Sequence, residues 1–276
     1  MIYFCAKFDK SHLKITEITA FLEQIAPLRL QESYDNAGLI VGDPEQELTG
    51  ALICLDSTEE VVREAIQKGC NLVIAHHPIV FRGLKRITGR HYVERVVIQA
   101  IKNDVALYAI HTNLDNILRN GVNQRLCEVL GLQTLRPLVP KPDSGEYEAG
   151  SGMIGQWPAP MSETESLRWV AQKLNAACIR HTPLLGRPVQ KVAVCGGAGS
   201  FLLPDALRAG ADLYISADFK YHEFFEADGR IVVADTGHFE SEQFTINLLF
   251  DLISEKYPTF ALHCVNHNTN PVRYWV

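Results

Sequence analysis

The chain has 276 residues, 47% of them apolar, which is enough for a sizeable core and excludes disordered and collagen-like classes. A formal charge of −6 argues against a nucleic-acid-coating protein, which wants a basic surface. Seven cysteines, an odd number scattered without a CxxC, argue against a disulfide framework and a thiolate zinc site.

The opening MIYFCAKF is too short for a signal h-region, and no apolar run approaches a membrane span. A cytoplasmic protein without a membrane partner is expected. Residues 16–26 place Ile18, Phe21, Leu22 and Ile25 on one helical face, and Pro27 stops the helix. A polar, glycine-containing segment, YDNAGLIVG, follows at 34–42. ALICL (51–55) and NLVIA (71–75) read as buried strands around a helix, with Ser57 and Glu60 spaced as a capping box. A helix at about 92–103 and the strand VALYAI (105–110) continue the rhythm.

The rhythm breaks at 136–160, where prolines and glycines indicate loops or edge structure, and a helix at about 162–176 follows. From 191 it resumes. KVAVC, DLYIS, RIVVA and TFALHC read as strands, and PDALRAG, FKYHEFFEA and 238–254 as helices. Strands alternating with helices imply βαβ units and a parallel sheet. The stretches 51–77 and 191–218 resemble one another, as an ancient duplication or as two ordinary βαβ units would.

The unusual polar residues cluster by position. Asp56, His76, His77, His111, Asp218 and the 235–238 segment each follow a strand's C-terminal end, the edge where parallel sheets bind ligands. Adjacent residues of an extended chain point apart, so His76 and His77 chelate one ion poorly but can serve two. His111 and Asp115, and likewise His238 and Glu242, are four residues apart and share a helical face. Imidazole with carboxylate suits zinc, manganese, iron, cobalt or nickel. Five ligands, His76, His77, Asp115, His238 and Glu242, exceed one tetrahedral site, so two divalent ions are expected, with Glu242 as bridge. One partition gives His77 and Asp115 to one ion, His76 and His238 to the other. A bridging hydroxide between them would be a nucleophile at neutral pH, with His111 as proton shuttle.

YDNAGLIVG, LVIAHHP, HTNLD, SADFKYHE and DTGHFESE occur in this order in the NIF-three-like (NGG-interacting factor three) family, also known as type-two GTP cyclohydrolase I homologues, which the chain resembles from about residue 14 onward. The resemblance implies two interlocked βα-repeat halves with mostly parallel sheets flanked by helices. It implies the same five ligands, and a ring-shaped homohexamer. It sets an N-terminal extension at 1–13, halves at 14–130 and 191–276, and a connecting segment at 131–190 too short for the PII-like insertion some members carry. Tyr34 stands where the family usually has Trp.

Other candidates are weaker. GSGMIG (150–155) matches a dinucleotide fingerprint but lacks the flanking strand and helix. The turn CGGAGS (195–200) follows a strand and is the place for a substrate phosphate. Lys85, Arg86 and Arg90 are candidate anion contacts, and Asp218, Tyr221 and His222 candidate substrate contacts. A metal-dependent hydrolase of a small, nucleotide-like or phosphate-bearing substrate is the leading reading. A non-enzymatic metal-binding scaffold or regulator is the alternative.

Overall fold

The computed structural model describes residues 13–142 and 144–275, so the N-terminal extension expected at 1–13 lies, except for Leu13, outside the described residues. The first half runs through α1 (Ile15–Ile25), β1 (Gly38–Val41), β2 (Ala51–Cys54), α2 (Glu59–Gln67) and β3 (Leu72–Ala75). It continues with α3 (Tyr92–Lys102), β4 (Ala106–Ala109), α4 (Thr112–Asp115) and α5 (Val122–Leu130). The strands β2, β3 and β4 are buried at every position. Their side chains alternate between two apolar layers, the signature of a parallel strand covered on both faces. Ala51, Ile53, Leu72, Ile74 and Tyr108 face α1, while Leu52, Val73, Ala75 and Leu107 face α2 and α3.

The chain goes on through β5 (Gln133–Pro140), β6 (Gly150–Met161), α6 (Glu163–Leu174), β7 (Arg180–His181), β8 (Val189–Ala198), α7 (Leu203–Arg208), β9 (Leu213–Ala217) and β10 (Val232–Asp235). Then come α8 (His238–Glu242), α9 (Thr245–Lys256) and β11 (Leu262–Cys264). The sheets order as β1-β4-β3-β2-β11 and β5-β6-β8-β9-β10-β7. β11 pairs in parallel with β2, and Leu248, Leu249 and Ile253 of α9 join the core around α1. The chain thus returns to the first sheet after building the second, and this is how the halves interlock.

The first sheet is parallel except at its β1–β4 edge. The second is mixed: β8, β9 and β10 are parallel, and β5, β6 and β7 add antiparallel pairings. The segment 136–160, expected as loops or edge structure, is largely an antiparallel pair. Its breakers sit where a sheet tolerates them. Pro137 and Pro140 lie on the edge strand β5, and Pro158 and Pro160 fall where the β6–β8 register shifts. GSGMIG opens β6 itself, so it makes no strand-to-helix phosphate turn.

Local differences have simple causes. The cap of α2 is Thr58, one residue later than expected, its hydroxyl accepting from the Val61 N–H at 3.2 Å. The helix expected over 238–254 breaks into α8 and α9, and the FKYHEFFEA helix is 3-10 over Tyr221–Ala227. Cys54, Cys70, Cys127 and Cys195 are buried and unpaired, acting as small apolar side chains. Among the described residues no helix is long and apolar enough to cross a membrane.

Candidate metal centre

The polar residues at the strand ends of both sheets meet. His76 and His77 follow β3, and His111 follows β4 and precedes α4, whose last residue is Asp115. From the second sheet α8 brings His238 and Glu242, one turn apart. Gly237, with φ of +93°, makes the turn from β10 into α8 that aims them at the first sheet.

Glu242 lies at the middle. Its Oε2 is 3.0 Å from His77 Nε2 and 3.0 Å from His238 Nε2, and those two nitrogens are 3.2 Å apart. Its Oε1 faces the other way, 3.8 Å from His76 Nε2, which in turn is 3.6 Å from Asp115 Oδ1. Two groups of three ligand atoms, His77–His238–Glu242 and His76–Asp115–Glu242, therefore share one carboxylate. The expected partition is exchanged: His77 goes with His238, and His76 with Asp115. Strand order is the reason. β3 lies between β4 and β2, and the adjacent imidazoles turn to opposite neighbours. His76 Nδ1 donates to the Ile110 carbonyl beyond β4 at 2.8 Å, and His77 Nδ1 to Asp56 beyond β2 at 2.8 Å.

The same device recurs at the other imidazoles. His238 Nδ1 donates to Asp218 Oδ2 at 2.7 Å, and His111 Nδ1 to Asp35 Oδ1 at 2.8 Å. An acceptor at Nδ1 holds the proton there and leaves the Nε2 lone pair aimed at the centre, as metal-ligating histidines require. His111, with His76 and His77, forms a third group of the right spacing for an ion.

Within the centre two buried atoms, His76 Nε2 and Asp115 Oδ1, are left without a hydrogen-bond partner among the described residues. Such an orphan costs about 1–3 kcal/mol, and a cation between the two would satisfy both. The charge balance agrees. Burial and the nearby Glu242 charge push the Asp115 carboxyl up. Burial would also raise Glu242, but His238 and His77, each 3.0 Å away, hold it well below the usual range. Burial opposes protonation of His77, yet Asp56 and Glu242 push it up to about 9, and Glu242 and Asp218 push His238 up to about 11 in the same way. The centre attracts positive charge, and its imidazole and carboxylate donors fit a transition-metal dication.

The centre opens into a cavity of about 700 Å³. Tyr34 and Phe81, with ring centroids 6.1 Å apart, stand in one wall. Among the described residues, Arg180 is its one lysine or arginine. Arg180 is paired with Asp235, and its guanidinium also donates to the Phe219 carbonyl at 3.0 Å. The sequence reading missed Arg180, which sits on a two-residue strand, and instead nominated Lys85, Arg86 and Arg90, which do not line the cavity. Asp218 does line it, whereas Tyr221 and His222 do not. The CGGAGS segment is no free phosphate cradle after a strand, because residues 195–198 are the last, irregular stretch of β8 itself. The Gly196 N–H donates to Asn123 Oδ1 at 2.9 Å and the Gly197 N–H to Ser241 Oγ at 3.0 Å. Asp35 was also missed. Burial would raise its carboxyl, but hydrogen bonds from His111 and Thr112 hold it down to about 2.

Comparison with known proteins agrees with this architecture. Residues 13–271 match the family described as Duf34/NIF3 (NGG1p interacting factor 3). A GTP cyclohydrolase 1 type 2 homolog of Clostridium perfringens is 36% identical over 233 residues, 83% of this chain and 87% of that one. Another from Clostridium acetobutylicum is 31% identical, covering 93% of this chain and 94% of its own. Among solved structures, a Bacillus cereus protein related to NIF3 superposes with a TM-score of 0.87 at 25% identity, over 96% of this chain and 100% of that one. Reduced HcgD from Methanocaldococcus jannaschii superposes with a TM-score of 0.75 at 27% identity, over 92% and 98%.

Proposed function

The chain belongs to the Duf34/NIF3 family, and from that premise we propose that it is a metal-dependent hydrolase with a dinuclear centre. The observation that carries the proposal is the Glu242 carboxylate, with one oxygen turned to each of two ligand groups. His77 and His238 with Oε2 would hold one ion, and His76 and Asp115 with Oε1 the other. Two divalent ions held there would supply Lewis acidity and an activated water at neutral pH.

The chain's own residues do the rest. His111, its Nδ1 fixed on Asp35, presents Nε2 to the cavity and moves the proton. Tyr34 and Phe81 offer an aromatic wall to a planar group, and Arg180 offers a cation to an anionic one. A cavity of this volume suits a nucleotide-sized molecule. The relatives' name, GTP cyclohydrolase 1 type 2 homolog, makes ring-opening hydrolysis of a purine nucleotide the first reaction to assay. Action in the cytosol as a homohexamer is part of the same proposal.

The test is turnover by metal-loaded protein on a panel of GTP, phosphoesters and amides. Hydrolysis abolished by Glu242→Ala, with the fold retained, is the expected result. Metal binding without turnover across the panel would favour the second reading, a metal-binding scaffold, which fits the interacting factor in the family's name.

A further inference from the structure

The glycine pair of Gly196 and Gly197 near the end of β8, its N–H groups committed, still needs a reason to be glycine. Clearance supplies one. A Cβ on Gly197 would stand 2.2 Å from Glu242 Oε1, 3.0 Å from Glu242 Cδ and 3.2 Å from His238 Cε1. A Cβ on Gly196 would stand 3.3 Å from Glu242 Cγ. The shortest of these is inside any real Cβ contact, and Glu242 is itself buried, with little room to retreat.

We propose that Gly197 is a positioning residue for the bridging carboxylate: its missing side chain is the space into which Glu242 Oε1 fits. The proposal rests on the dinuclear reading of the site. Two further contacts fix this end of β8 beneath the carboxylate. Asn123, 2% exposed, accepts the Gly196 N–H through Oδ1 and donates through Nδ2 to the Asp115 carbonyl at 3.1 Å. One buried amide thus ties the floor under Glu242 to the segment carrying Asp115. Ser241, next to Glu242, accepts the Gly197 N–H. The carboxylate shared by both ligand groups is therefore held in register with ligands from the other sheet.

A rival account is that Gly197 serves only its backbone, since its φ is +63°. Gly186 separates the two, because its φ is +72° and nothing lies within 4 Å of its Cβ position. The experiment compares full-length wild type, Gly197→Ala, Gly186→Ala, Glu242→Asp and the double variant Gly197→Ala/Glu242→Asp. Zinc stoichiometry and affinity are read by competition with a chromophoric chelator, and folding by circular dichroism and Tm. Gly197→Ala is expected to weaken zinc binding by about 10–100-fold or to lose one equivalent, the scale of a displaced ligand-supporting contact. Gly186→Ala should bind as wild type. The shorter aspartate draws away from the new methyl, so the double variant should bind more tightly than Gly197→Ala alone.

Gly197→Ala binding two equivalents with wild-type affinity overturns the proposal and leaves the dinuclear reading intact. Wild type that takes up fewer than two equivalents refutes that reading instead. Should Gly197→Ala not fold, the double variant is expected to fold, because it removes the contact. A double variant that also fails to fold places the demand on the backbone and overturns the proposal.

Discussion

Asp56 touches no proposed ion, yet its replacement should weaken metal binding in a graded way. Its Oδ1 accepts from His77 Nδ1 at 2.8 Å, and its Oδ2 accepts from the Thr269 hydroxyl at 2.8 Å. Asn at this position can keep its carbonyl on His77 and donate its amide to Thr269 Oγ1. The imidazole tautomer then survives while the negative charge behind it is lost. Ala removes both. A hydrogen bond to a charged group is worth about 1.5–3 kcal/mol, and losing the support behind a metal-ligating histidine costs about 10–100-fold in affinity. Asp56→Asn is therefore expected near ~10-fold weaker zinc binding and Asp56→Ala near ~100-fold, at the two ends of that range. Chelator competition at constant pH measures both, with circular dichroism as the check on fold. Wild-type affinity in Asp56→Ala would refute the reasoning, since it would mean that the orientation of His77 has no bearing on the metal.

Arg180 is half exposed and paired with Asp235, so Arg180→Gln should raise KM for a phosphate-bearing substrate by only about 5-fold, with zinc content unchanged; a changed zinc content would place it in the metal site instead. Leu249 of α9 is fully buried against the first sheet, and Leu249→Ala should cost about 2–5 kcal/mol in urea unfolding; a loss under 1 kcal/mol would deny α9 its place in that core. Glu64 accepts from the Asn266 N–H and His267 and pairs with Lys68, anchoring the strap after β11. Burial would raise its carboxyl, but these partners hold it below its ordinary value of 4.5. A depressed carboxylate stabilises above its unfolded pKa, and that contribution fades as pH falls through the folded value. Glu64→Gln should therefore lower stability by at most about 1 kcal/mol at pH 7, a difference that closes as pH falls through the lowered folded value; a difference that widens in acid would contradict the sign.

Much of the site was legible because it follows strand-end logic. His76, His77, Asp115, His238 and Glu242 stand out as polar residues just beyond apolar runs, and in the fold they converge. Which imidazole joins which partner was not legible. That depends on β3 lying between β4 and β2, a property of strand order that no local spacing encodes. Asp35 is 76 residues from His111 in sequence and precedes β1, a short antiparallel edge strand that reads as a polar glycine-containing segment. Arg180 escaped for a similar reason: the two-residue β7 leaves no pattern. The 136–160 segment was legible in part: β5 is the edge strand that its prolines and glycines indicate, but β6 runs inside the sheet, because such residues mark breaks only on average. Here they occupy an edge strand and a register shift, positions a sheet tolerates.

The central claim is that one carboxylate, Glu242, joins two ligand groups into a site for two ions. Elemental analysis of protein purified without added metal, repeated after reconstitution with zinc or manganese, tests it most directly. The account predicts close to two equivalents per chain for wild type and a marked loss for Glu242→Ala. Zero or one equivalent in wild type, unchanged by reconstitution, would contradict it.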